Sequence, residues 1–126
     1  MKTVLVFGNS DLPQDSLPLK LLPQLRLACP EFDFKLIDPN ENWAIPPEII
    51  VIDTMMGLKT VESLTDLNKL IDSPRLSLHD FDVGFQLKYL AKLGRLKKVI
   101  IIGLPPLMTE AEALPLVTAK LRANLP

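Results

Sequence analysis

Three stretches of this chain constrain its fold more than anything else: "TVLVF" (3–7), "EIIVIDT" (48–54) and "KKVIIIG" (97–103). Each is apolar at nearly every position and rich in β-branched residues. A strand with one wet face alternates apolar and polar; a strand apolar on both faces needs cover on both. Between these runs lie segments with helical apolar spacing, at 17–29, 81–94 and 108–125. Buried strands alternating with helices predict an α/β fold: a single-domain, three-layer sandwich whose mostly parallel sheet is covered by helices on both faces.

The remaining segments fill in this plan. "LPLKLLPQLRLAC" (17–29) reads as a helix, with Pro23 expected to kink it or delay its start. "FDFKLID" (32–38) alternates and reads as a strand with one polar face. The stretch after residue 54 suggests a short strand near 60–63 and a helix near 65–71. In 81–94, Val83, Leu87, Leu90 and Ala91 share one helical face, and Gly94 suits a cap. Thr109 with Glu112 three residues on has the capping-box pattern for the last helix, and Pro115 falls inside it.

A length of 126 residues fits one domain spanning 1–126. The net charge of −1 argues against nucleic-acid partners and a basic membrane surface. No apolar run reaches the ~20 residues of a membrane span, and the N-terminal run is too short for a signal-peptide core. The lone cysteine, Cys29, cannot form an internal disulfide, and its expected role is a buried structural thiol. These features predict a cytoplasmic protein without membrane insertion, and a monomer is the expected state. The twelve prolines sit at loops and helix starts, which predicts stiffened loops rather than a disordered linker.

Open parallel sheets bind ligands beyond the carboxyl ends of their strands. The loop after the first run holds Asp11 and Asp15, the "EIIVID" run ends at Asp53, and the only histidine, His79, precedes a helix. Asp15, Asp53 and His79 can converge at one edge, where two carboxylates and an imidazole would suit nickel or zinc and leave coordination positions open. Each residue also has a simpler reading: Asp15 as a helix cap, Asp53 bonding local backbone amides, His79 as an exposed loop residue. Other site chemistries lack their motifs. "GNSDLPQDS" is neither a dinucleotide loop nor a P-loop, and there is no G-x-S-x-G elbow. A receiver-like domain would use Asp53 but also wants a lysine after the last strand, where this chain has Leu104, Pro105 and Pro106.

"VLVFGNSDLPQDSLPLKLL", "EIIVIDTM", "SLHDFDVGFQLKYL" and "KKVIIIGLPP" resemble, in order and spacing, the maturation endopeptidases of nickel-iron hydrogenases. The resemblance covers most of the chain and implies a phosphorylase/hydrolase-like sandwich. Carried over motif by motif, it implies that Asp15, Asp53 and His79 are the metal ligands, with no separate catalytic residues. It implies a partner, the large-subunit precursor of a nickel-iron hydrogenase, from which a C-terminal extension is removed. It also implies that nickel arrives already seated in that precursor; zinc or another divalent metal suits the same donors.

The chain departs from the family pattern in three places. Gln14 stands where the first of two adjacent acids is common, Pro18 stands where a glycine usually begins the helix, and "DPNENW" replaces a glycine-rich turn. These departures frame a second expectation, a non-catalytic hydrogenase- or metal-binding maturation chaperone on the same scaffold.

Overall fold

The computed structural model describes residues 2–37, 45–65, 77–78 and 81–124, with only the backbone described at 77–78 and 81–85. Strands β1 (Lys2–Val6), β2 (Phe32–Leu36), β3 (Glu48–Met56), β4 (Glu62–Leu64), β5 (Ser77–Leu78) and β6 (Lys98–Leu104) form one sheet. The order is β2-β1-β3-β6-β4, with β5 pairing β3 away from that path. The pairs β1–β2, β1–β3 and β3–β6 are parallel, whereas β4 runs antiparallel to β6 and β5 antiparallel to β3. Helices α1 (Leu17–Ala28), α2 (Phe81–Lys92) and α3 (Glu110–Arg122) complete the described elements.

The continuous apolar runs occupy the centre of the sheet for the expected reason. Val4, Val6, Ile50, Ile52, Ile100 and Ile102 face α1 and α3, where they meet Leu21, Leu25, Val117 and Leu121. The alternate residues Leu5, Val51 and Ile101 face the other side with Leu87 and Leu90 of α2. Both faces of the central strands are therefore dry, and the layering is helix, sheet, helix. Each aliphatic side chain so buried contributes about 1.5–3 kcal/mol relative to exposure. Among the described residues no helix is long and apolar enough to cross a membrane.

Several expectations needed correction. Pro23 does not delay α1: the helix begins at Leu17 and runs through it. Proline removes the bond to the carbonyl four residues back, but Pro23 is exposed while Leu21, Leu22 and Leu25 are buried, so packing carries the helix across. Pro115 is likewise inside a continuous α3. In α2, Leu87 and Leu90 are buried as expected, yet Ala91 is exposed, because the contact with the sheet is narrower than the apolar stripe; the Val83 side chain lies outside the description. β3 does not stop at Asp53 but continues to Met56. The short strand lies at 62–64, and the helix expected near 65–71 falls almost wholly outside the described residues.

Two termini behave as the residues dictate. The Thr109 hydroxyl accepts a hydrogen bond from the Glu112 amide at 3.2 Å and donates to Glu112 Oε1 at 2.8 Å. Gly94 adopts φ +74°, a conformation that favours glycine, just beyond α2.

Cys29 is fully buried beside α1 and α3, in keeping with a structural thiol. Burial pushes its pKa up, with Arg122 opposing the shift. A thiol whose folded pKa is raised holds its proton more tightly in the folded state, so its effect on stability is flat below the unfolded pKa and becomes unfavourable as pH rises above it. Native protein should therefore react far more slowly with a disulfide reagent at pH about 8 than urea-unfolded protein. Stability should decline above roughly pH 8.5. Comparable native and unfolded labelling rates would place the thiol at the surface instead.

Candidate functional site

The three central parallel strands all finish at one edge of the sheet, and Asp15, in the loop after β1, and Asp53, late in β3, belong to that edge. β1 ends at Val6, and the chain stays tied to its neighbour through the Phe7 amide, which donates to the Ile52 carbonyl at 3.0 Å. At Gly8-Asn9 it turns back on itself. The Asn9 amide donates to the Asp15 carbonyl at 2.9 Å, and Asn9 Oδ1 accepts from the Asp11 amide at 2.9 Å. A Cβ on residue 8 would lie 2.9 Å from the Asp15 carbonyl oxygen, so a glycine is needed for this approach.

The loop then tightens into a 3-10 turn at Pro13–Asp15, which packs against β3. The Ser16 hydroxyl donates to the Pro13 carbonyl at 3.0 Å and holds the turn closed. This places the Asp15 side chain in the interior, 5% exposed, while Gln14 beside it is exposed. Asp15 is not the cap of α1: that position is Ser16, with no side-chain capping bond. Pro18 falls in the first turn of α1, where an amide hydrogen would have no partner within the helix, so proline substitutes there at little cost.

Asp53 lies on β3, paired with Gly103 of β6, and is 0% exposed. Its Oδ1 accepts a hydrogen bond from the Thr54 amide at 2.8 Å, so the local backbone bond anticipated for this residue is present. Gly103 keeps the neighbouring strand clear, since a Cβ there would overlap Met55 and Leu58. By strand alternation Asp53 shares the sheet face of Val51 and Met55, the face that α2 covers.

His79, the third expected ligand, lies outside the described residues. The residue before it, Leu78, pairs with Met55 of β3, two positions beyond Asp53. Among the described residues no group of three histidine, cysteine or acidic side chains could hold a metal ion. The structure thus brings Asp15 and Asp53 to one edge as buried carboxylates. Asp11, the other acid of the first loop, is exposed. Two such carboxylates fit the hard and borderline divalent cations that accept oxygen donors.

The turn expected at Gly8-Asn9 is present. One contributor was not singled out from the sequence: Thr54, a polar residue within the central strand. Its hydroxyl is completely buried and has no hydrogen-bond partner among the described residues, an arrangement that costs about 1–3 kcal/mol.

No protein-family model and no curated protein matches this chain. Solved structures do. A hydrogenase 3 maturation protease superposes with a TM-score of 0.66 at 20% identity, covering 96% of this chain and 89% of that one. The hydrogenase maturating endopeptidase HybD from E. coli gives a TM-score of 0.61 at 19% identity, covering 98% and 93%. An uncharacterized protein from Wolinella succinogenes gives 0.61 at 19%, covering 97% and 94%. The chain has the fold of the hydrogenase maturation endopeptidases.

Proposed function

We propose that this protein is an endopeptidase that removes a C-terminal extension from the nickel-loaded precursor of a nickel-iron hydrogenase large subunit. The observation that carries the reading is the burial of Asp15 and Asp53 at one sheet edge of this particular fold. Nickel here is part of the substrate. Asp15, Asp53 and His79 would offer it three donors, and their open coordination would let the scissile peptide lie beside the metal. A bound divalent metal supplies Lewis-acid polarisation of a carbonyl. The protein's own residues would hold and orient the precursor. In this reading it acts as a cytoplasmic monomer, and zinc or another divalent ion can occupy the same donors.

A non-catalytic maturation chaperone is the second reading, favoured by Gln14 and by "DPNENW" in place of the glycine-rich turn. The exposure of Gln14 weakens that case, because an acid there would be no part of a buried pair. Incubation with a nickel-loaded precursor, followed by intact mass spectrometry, separates the two. Loss of the extension is expected with nickel, and an unchanged precursor without it. Binding with no cleavage would establish the chaperone. Equal cleavage of the nickel-free precursor would remove metal guidance from the mechanism.

A further inference from the structure

From Ile49 to Met55, every residue of β3 other than Asp53 and Thr54 is aliphatic or methionine. Valine suits a strand as well as threonine does, with the same branched shape. Thr54 instead puts a hydroxyl at 0% exposure with no hydrogen-bond partner among the described residues. Its backbone and its side chain serve different faces of the sheet. The amide donates to Asp53 Oδ1 at 2.8 Å. The side chain, by strand alternation, lies with Ile50 and Ile52 on the face that α1 and α3 cover. Leu104 of β6 is its neighbour on one side. On the other side, Val6 stands opposite Ile52 and the Phe7 amide bonds the Ile52 carbonyl, so the register carries on to put Gly8 beside Thr54. Gly8 is covered on this face by the Asp15 turn, since a Cβ there would lie 2.9 Å from the Asp15 carbonyl oxygen and 3.1 Å from Leu19 Cγ. That turn rests on β3, and the Asp15 side chain is buried. The Thr54 hydroxyl and the Asp15 carboxylate thus belong to the same side of the same strand end, one in the sheet and the other in the turn laid over it.

We propose that Thr54 is a positioning residue for Asp15: its buried hydroxyl donates a hydrogen bond to the Asp15 carboxylate when that carboxylate holds a divalent cation. With the amide bond to Asp53 already made, one residue then secures both carboxylates, one from each face of the sheet. The inference rests on the metal-holding part of the proposed function and is independent of cleavage. A carboxylate that gives one oxygen to a cation keeps lone pairs on the other, and ligating carboxylates are anchored by a donor of this kind. A hydroxyl suits the task because it is neutral and does not repel the cation, and its proton rotates to meet the acceptor. The β-branch of threonine restricts the side chain to few rotamers, so little freedom is lost when the bond forms.

The test uses the full chain with zinc chloride as the probe: calorimetric affinities, thermal melts without added metal, and a crystal structure of the zinc-loaded protein. Thr54→Val should raise the zinc Kd by about tenfold or more. It should melt no lower than the wild type, because it removes a buried hydroxyl that has no partner. Thr54→Ser keeps the hydroxyl and should bind zinc far more tightly than Thr54→Val, a rescue that a purely structural role would not produce. In the zinc-loaded crystal, Thr54 Oγ1 should lie about 2.5–3.0 Å from an Asp15 carboxylate oxygen. Wild-type zinc affinity in Thr54→Val would overturn the assignment. So would a zinc-loaded structure in which the hydroxyl bonds only a buried water. If the wild type binds zinc but leaves the nickel-loaded precursor intact, the endopeptidase reading falls, and Thr54 stands or falls on the zinc affinities alone. A wild type that binds neither zinc nor nickel would remove both.

Discussion

Asp53→Asn is expected to abolish cleavage of the nickel-loaded precursor and to weaken nickel or zinc binding by more than about a hundredfold, since losing even an outer partner of a ligand costs roughly 10- to 100-fold. The same change should leave the protein folded, with a melting temperature close to that of the wild type. Asparagine has the shape of aspartate, and its amide oxygen can still accept from the Thr54 amide, the 2.8 Å bond that anchors the carboxylate. Activity should therefore be lost while stability is largely kept, which is the signature of a residue kept for chemistry. Calorimetric titration of wild type and variant, alongside their thermal melts, reads both quantities. Equal metal affinity would take Asp53 out of the site, and a large fall in melting temperature would make it a structural carboxylate.

His79→Ala is expected to have an effect of the same size on cleavage. The reason is arithmetic on donors. In the proposed site Asp15 and Asp53 would supply carboxylate oxygens, and the chain contains one histidine, so no second imidazole can take its place. With two protein ligands left, a borderline metal loses its nitrogen donor and its fixed third position. The expected result is loss of precursor cleavage with a melting temperature close to that of the wild type. If His79 serves only as a polar surface residue, the variant will cleave at the normal rate. A folded His79→Ala protein with normal activity would remove the imidazole from the site and leave two carboxylates too few for the proposed mechanism.

The sequence by itself determined the layers of this fold. Runs such as "EIIVID" are apolar on both faces, and a strand of that kind has no stable place except between two layers of helix; β3 duly sits between β1 and β6 with both faces covered. Thr109 and Glu112 specified the start of α3 because a capping bond is local, closed within one turn of chain. Cys29 could be read as buried because a lone thiol has little else to do. That Asp15 and Asp53 belong to the same edge also follows from the parallel plan, since parallel strands end on the same side.

Tertiary structure decided the rest. Nothing local says that Pro23 and Pro115 sit within unbroken helices; the buried leucines on the sheet side of α1, and Ala113, Val117 and Leu121 in α3, outweigh the lost backbone bonds. Ala91 matched an apolar stripe by periodicity, yet the width of a helix contact is set by what it packs on, and that leaves Ala91 in solvent. Asp15 and Gln14 are neighbouring polar residues, and local sequence does not tell which is inside. That choice belongs to the Gly8 turn and the 3-10 turn resting on β3, which point one side chain inward and the other out.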